Sequence, residues 1–212
     1  MNPDLFDVGT LSAAAADSVR RIAIAGFHAL WDGRSPAPEE LGGGDGPVLD
    51  EAVAHLQARG RIELTADGHL LGVHGLTHRT TRHRIEHLSG SVNTWCALDA
   101  IGIPTALAID ARARTTCPTC DLQLVVTLVA GEPEPLAGAV LWYPETAGSW
   151  HHLVDQFCSG ANLFCSLAHL RERIGSGTAA GAVMTVQEVA EIGREVWADV
   201  AQDGGRTIGG IR

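Results

Sequence analysis

The sequence predicts a mixed α+β fold in which an N-terminal, three-helix, winged-helix-like unit packs against a second domain of helices and strands. Apolar residues recur at helical spacing in the first sixty positions. Residues 61–72 then contain two β-prone runs around an Asp-Gly turn, which is typical of a hairpin. Later helices and strands mix without strict βαβ alternation, which favours α+β. We expect domains at residues 1–80 and 81–202 and a flexible tail at 203–212.

The three N-terminal helices are predicted by different signals. Residues 11–31 place Val19, Ile22, Phe27 and Leu30 on one helical face. Two prolines near the start of residues 35–41 are tolerated in a first helical turn. The amphipathic run at 46–60 ends in a glycine, a common helix terminator.

The second half is predicted from shorter runs. A helix at residues 94–101 is expected to end at Gly102 and Pro104, both of which disfavour helix continuation. β-prone runs predict strands, and helical spacing predicts the remaining helices. The predicted strands are 104–115, 121–130, 138–144 and 181–186, and the predicted helices are 147–157, 166–175 and 187–201.

Composition excludes several functions. The 212-residue chain has a net charge of −10, which disfavours nucleic acid or an anionic membrane as a partner. No apolar run is long enough to span a bilayer, and the first ten residues lack a basic secretory region, so we expect a cytoplasmic protein. All fifteen basic residues are arginines, which excludes chemistry that requires a lysine.

A winged-helix-like unit raises the possibility of DNA binding. Residues 1–90 contain eight arginines and twelve acidic residues, and the third helix offers only Arg59 beside Asp50 and Glu51. Such a surface is poorly suited to phosphates. We expect this unit to serve packing or substrate access instead.

Cys96 and Asp99 stand out because they occur together in the apolar stretch "TWCALDAIGIPTAL". On a helical turn, residues three apart share a face. The spacing alone leaves a buried core thiol and a helix-capping acid as alternatives to a catalytic pair.

This stretch closely resembles the core motif of the organomercurial lyase (alkylmercury lyase) family. Further segments resemble blocks of that family over about residues 15–200: "GHLLGVHGLTHRTTRHRIEH", "ARARTTC" with Cys117, and "DQFCSGANLFCS" with Cys158. The resemblance implies an alkylmercury lyase-type catalytic domain that cleaves carbon–mercury bonds by protonolysis, in mercury detoxification. It implies that Cys96 and Cys158 bind mercury, and that Asp99 relays the proton and lies near the product Hg(II). Soft mercury prefers thiolates, which fits these residue types.

The resemblance also implies the reaction's other requirements. No organic cofactor is expected, whereas external thiols are needed for turnover. Cytosolic thiols or a mercuric reductase would accept Hg(II). Trp95 is either part of the substrate-pocket wall or a core tryptophan. Ser159 follows Cys158 where some family members carry a second cysteine.

The chain has five cysteines, an odd number that does not indicate a disulfide framework. Cys117 and Cys120 form a C-x-x-C turn, a secondary thiol pair that is half a zinc knuckle, a redox pair or two ordinary buried thiols. A zinc site would need two more ligands, which Cys165, His151 or His152 could supply only by folding nearby. Cys165 is most simply a strand filler.

Three other functions remain open at this point. A non-catalytic thiol protein of the same fold could bind Hg²⁺ or Cu⁺ without releasing hydrocarbon, although storage would not need Asp99. A metal-responsive DNA-binding regulator is disfavoured by the acidic N-terminal half. The fold could also serve cleavage of another carbon–metal or carbon–heteroatom bond.

Overall fold

A computed structural model of the chain describes residues 8–44, 46–145, 152–175 and 180–203. The described residues form a mixed α+β fold, as predicted. Within these ranges no helix combines the length and apolar character needed to cross a membrane. The tail predicted at 203–212 lies, apart from its first residue, outside the described residues.

The N-terminal elements lie close to their predicted positions. Helix α1 (Ala13–Trp31) begins where the Ser12 hydroxyl accepts a hydrogen bond from the Ala15 N–H. A short 3₁₀ turn (Pro38–Leu41) and helix α2 (Gly46–Ala58) follow. Strands β1 (Ile62–Leu64) and β2 (Leu70–Val73) pair antiparallel as the predicted hairpin.

Eight of the described strands form one antiparallel sheet. The remaining six are β3 (Leu76–Thr77), β4 (His83–His87), β5 (Gly90–Thr94), β6 (Ala111–Thr116), β7 (Gln123–Val129) and β8 (Glu132–Pro133). The order across the sheet is β1-β2-β3-β5-β4-β6-β7-β8. The N-terminal hairpin therefore continues into the sheet of the second half, and the domain boundary expected at residue 80 stays a prediction.

Helix α3 runs from Ala97 to Ala106 and contains both Gly102 and Pro104. The predictions that these two residues end a helix and that a strand begins at residue 104 are therefore wrong. Every residue from Ala97 to Thr105 is buried, so packing rather than propensity determines this helix. Gly102 lies against α5 (residues 186–196), where a Cβ at Gly102 would fall 2.9 Å from the Cα of Gly193. The glycine permits close helix packing and does not terminate α3.

The remaining elements cover α3 and form a smaller sheet. Strand β9 (Val140–Pro144) lies between β10 (Leu163–Phe164) and β11 (Gly181–Met184). The described helices here are α4 (Leu167–Ile174), α5 (Val186–Val196) and α6 (Ala198–Asp203). The prediction of one continuous helix at 187–201 is wrong, because the helix breaks at Trp197.

The helix predicted at 147–157 is only partly within the described residues. Its described part contains a single π-helical turn, Val154–Cys158, in place of a regular α-helix. Such turns are frequent at functional sites.

Candidate active site

A hydrogen bond connects Cys96 and Asp99 at the beginning of α3. Cys96 has an extended backbone and immediately precedes the helix, and Asp99 is the third helical residue. The Asp99 carboxylate accepts a hydrogen bond from the Cys96 N–H at 2.9 Å. This capping arrangement fixes the acid beside the thiol. The helix predicted at 94–101 begins only at Ala97, so Cys96 precedes the helix and the capping alternative describes Asp99.

Cys158 reaches this helix end from a distant segment. Cys158 ends the π-helical turn, in which the Ser159 N–H donates to the Val154 carbonyl at 3.1 Å. The loop after the turn is attached directly to α3, since the Ala97 N–H donates to the Ala161 carbonyl at 3.0 Å. The backbone connection places Cys158 next to Cys96.

The three side chains form a compact buried cluster. One ligand atom from each of Cys96, Asp99 and Cys158 lies within 4.8 Å of the others. Their exposed fractions are 0%, 5% and 4%. The structure therefore brings together the three residues predicted to bind metal and relay a proton.

Burial keeps protons on this cluster. It raises the pKa of Asp99 to about 7, although hydrogen bonds from Cys96 and Trp95 act in the opposite direction. Burial also raises the pKa of the Cys96 thiol well above its usual value, and the neighbouring Cys158 and Asp99 add to this effect. The hydrogen bond with Cys96 lowers the pKa of Cys158, but burial and the Asp99 charge outweigh it, so the pKa is raised.

Gly75 and Trp95 also lie close to Asp99. Gly75 has a φ of 95°, and a Cβ there would lie 3.0 Å from Asp99 Oδ1. Its carbonyl accepts the Trp95 N–H at 3.0 Å. The indole Nε1 of Trp95 donates to Glu63 Oε2 at 2.8 Å. The β2–β3 turn and β1 thus both contribute to the surroundings of the acid.

A cavity of about 380 Å³ leads to the cluster. Cys158 and Trp95 line it, together with Trp142, Asn162 and Phe164. Cys96 and Asp99 are not among its lining residues, so Cys158 is the cluster thiol that faces the open space.

Sequence reasoning missed several residues around the cluster. Arg61 is only 9% exposed, and its charge lowers the pKa of Cys158, whereas Glu63 acts to raise it. Burial, together with nearby Cys96, raises the pKa of Tyr143. These residues lie on strands or next to them, with no motif around them, so only the tertiary structure identifies them.

His83 is a second buried polar residue near the cavity. Burial lowers its pKa to about 4, and its Nδ1 lies 2.7 Å from Thr115 Oγ1. His83 is therefore a neutral side chain that lines the cavity at physiological pH.

The predicted thiol pair belongs to a larger group. Cys117 and Cys120 lie with Cys165 and His169, and one ligand atom from each is within 4.8 Å of the others. Cys165 follows β10 and is partly exposed, so the prediction that it fills a strand is wrong. His152 is elsewhere, 3.0 Å from Asp155, and His151 lies outside the described residues. The C-x₃-H spacing of Cys165 and His169 was the missed signal.

The chain matches a known protein family over most of its second half and part of its first. The family model described as MerB, alkylmercury lyase, matches residues 76–198, which is more than half of the chain. The chain belongs to the alkylmercury lyase family. The match begins immediately after Gly75 and includes Cys96, Asp99 and Cys158.

Solved structures agree on the fold. The chain resembles the crystal structure of the mercury-bound form of MerB2 with a TM-score of 0.79 and 20% sequence identity. The similarity covers 93% of this chain and 97% of that one. It includes part of the region before residue 76, so the alkylmercury lyase fold of this chain extends beyond the family match.

Proposed function

We propose that this protein is an organomercurial lyase, which cleaves the carbon–mercury bond of alkyl or aryl mercurials to give a hydrocarbon and Hg(II) in mercury detoxification. The observation that carries the proposal is the convergence of two buried thiols and one buried acid in a member of the alkylmercury lyase family. A lyase of this kind needs no organic cofactor, because the three side chains supply the required groups.

Cys96 and Cys158 bind the mercury of the substrate. Soft metal ions select thiolates, and two protein sulfurs can replace the thiol that carries the organomercurial in solution. Because burial keeps both thiols protonated, binding releases their protons as the metal takes their place. The two negative sulfurs then compensate the charge of the metal in a dry environment.

Asp99 delivers a proton to the carbon. Donation from two sulfurs weakens the mercury–carbon bond and makes the carbon more basic. The electron pair of that bond forms the new carbon–hydrogen bond, and mercury remains Hg(II) on the sulfurs. A pKa of about 7 leaves a large protonated fraction of Asp99 at neutral pH, which is favourable for a general acid.

The cavity provides the route for the substrate. Cys158 lines the open space, whereas Cys96 and Asp99 lie behind it, so an entering organomercurial meets Cys158 first. Trp95 forms part of the wall and is fixed by its hydrogen bond to Glu63. The winged-helix-like N-terminal unit contributes to the electrostatics of the site, since the charges of Arg61 and Glu63 near its hairpin affect the pKa of Cys158.

Turnover depends on removal of the product. External thiols are the acceptors of Hg(II) in a cytoplasmic setting, and a mercuric reductase is a further acceptor. Neither nucleic acid nor a membrane has a role in this reaction.

The test is hydrocarbon release from phenylmercury in the presence of excess thiol, measured as benzene by gas chromatography. We expect catalytic release by the wild-type protein and none by Cys96→Ser or Cys158→Ser. A matched acid pair is Asp99→Asn and Asp17→Asn, since Asp17 is exposed and forms a surface ion pair with Arg20. A protein that binds Hg²⁺ tightly but releases no benzene would be the non-catalytic metal binder.

A further inference from the structure

A second cluster of ligand-type side chains lies apart from the proposed catalytic residues. It consists of Cys117, Cys120, Cys165 and His169 and is called here the CCCH cluster. The cluster joins the turn between β6 and β7 to the beginning of α4. None of these four residues has a role in the proposed cleavage reaction.

We propose that the CCCH cluster is a structural zinc site. Three cysteines and one histidine are a common donor set for structural zinc, and four protein ligands leave no position open for a substrate. The site is therefore distinct in chemistry from the two-thiol cluster at Cys96 and Cys158.

Two of the distances within the cluster match those of a single tetrahedral ion. With ordinary zinc bond lengths, ligand atoms in a tetrahedron lie about 3.6–3.8 Å apart. The Cys120 and Cys165 sulfurs are 3.6 Å apart, and the Cys117 sulfur is 3.9 Å from His169 Nδ1. The Cys165 sulfur is closer to that nitrogen, at 2.9 Å, so these two side chains must move apart when zinc binds between them.

The backbone on both sides is arranged to hold the ligands. In the C-x-x-C turn, the Asp121 N–H donates to the Cys117 carbonyl at 3.0 Å. The hydroxyl of Thr119, between the two cysteines, donates to the His169 carbonyl at 2.9 Å. On the helix side, Ser166 Oγ accepts the His169 N–H at 3.2 Å. The Thr119–His169 bond connects the two halves of the site independently of any metal, and the other two bonds order each half separately.

The exposure of the ligands gives the ion a path to the site. Cys117 is fully buried, Cys165 and His169 are partly buried, and Cys120 is exposed. Zinc can therefore enter from the exposed Cys120 side, and the buried surroundings of Cys117 keep water away from the other side of the site.

The site also bears on the substrate cavity. Pro118, between Cys117 and Cys120, lines the cavity that Cys158 faces, and so does Phe164, the neighbour of Cys165. A zinc ion in the CCCH cluster would fix this wall of the cavity without touching the substrate.

The experiment measures zinc in the full-length protein purified with zinc and without any mercury compound. We expect one zinc per chain after gel filtration. Cys120→Ser and His169→Ala should lose it, and Cys96→Ser should retain it as the matched control. Cys120 is exposed, so its replacement is compatible with folding. Replacing zinc by Co²⁺ should give the visible absorption of a tetrahedral, thiolate-rich cobalt site in the wild type and not in Cys120→Ser.

Three results would overturn the proposal. The first is a folded wild-type protein without zinc that also gives no tetrahedral cobalt spectrum. The second is full zinc content in both CCCH variants. The third is a Cys120–Cys165 disulfide under reducing purification, seen as the loss of two titratable thiols. Because the assay uses no mercurial, failure of the zinc site leaves the lyase proposal untouched, and the reverse also holds.

Discussion

Replacing Asp99 with asparagine tests whether burial holds a proton on this acid. Asparagine has nearly the same shape, and its carbonyl oxygen can still accept the Cys96 N–H. The substitution therefore removes the ionisation while retaining the hydrogen bond that caps α3.

The expected effect follows from the pKa of Asp99, which burial raises from 3.8 to about 7. Between these values the folded protein keeps the proton that the unfolded chain loses, so the wild-type free energy of unfolding falls as pH rises. At about 1.4 kcal/mol per pKa unit, the full loss is about 4 kcal/mol and is complete above pH 7. About 3 kcal/mol of this loss occurs between pH 5 and 8. Asp99→Asn lacks it.

Urea denaturation at pH 5, 6, 7 and 8, under reducing conditions, measures this difference. Burial lowers the pKa of His74 to about 3 and that of His83 to about 4, so these residues lose stabilisation as pH falls. Their contribution is common to both proteins and cancels in the difference. Asp17→Asn is the control and should follow the wild type at each pH. A wild-type curve parallel to that of Asp99→Asn would refute the elevated pKa.

Three further substitutions test the support around the site. Gly75→Ala places a Cβ 3.0 Å from Asp99 Oδ1 at a residue whose φ is 95°. We expect the free energy of unfolding, measured by urea denaturation, to fall by about 1–3 kcal/mol and benzene release to slow. Unchanged stability would contradict this strain. Gly102→Ala should lower the free energy of unfolding by about 1–3 kcal/mol, and Tm with it, because the new Cβ meets the α5 backbone. An unchanged Tm would show that the two helices can move apart at no cost. Trp95→Phe removes the donor to Glu63, and we expect a loss of about 1–3 kcal/mol in the free energy of unfolding. The same substitution in a Glu63→Ala background, which has no acceptor, should cost less, and an equal cost would contradict a role for this bond.

The local part of the site could be predicted from the sequence. The three-residue spacing of Cys96 and Asp99 predicts that they lie close together at a helix, and the structure places them at the helix start, joined by a backbone hydrogen bond. The N-terminal helices and the hairpin follow from periodicity and turn residues. Each of these predictions depends on interactions between residues close in sequence.

Contacts between distant segments could not be predicted from periodicity. Pro104 lies within α3 because burial of the whole helix outweighs one missing hydrogen bond. Nothing in the residue pattern places Arg61 near Cys158, and no periodicity brings His169 to Cys117. The pairing of Cys96 with Cys158 entered from the family resemblance, and the Ala97–Ala161 hydrogen bond shows its structural basis.

The most direct test of the proposed site is the position of Hg(II) in crystals of the protein exposed to one equivalent of the ion, located by anomalous scattering. We expect one mercury atom bonded to the sulfurs of both Cys96 and Cys158, with the Asp99 carboxylate beside it. Mercury bound elsewhere, with these two sulfurs unoccupied, would contradict it.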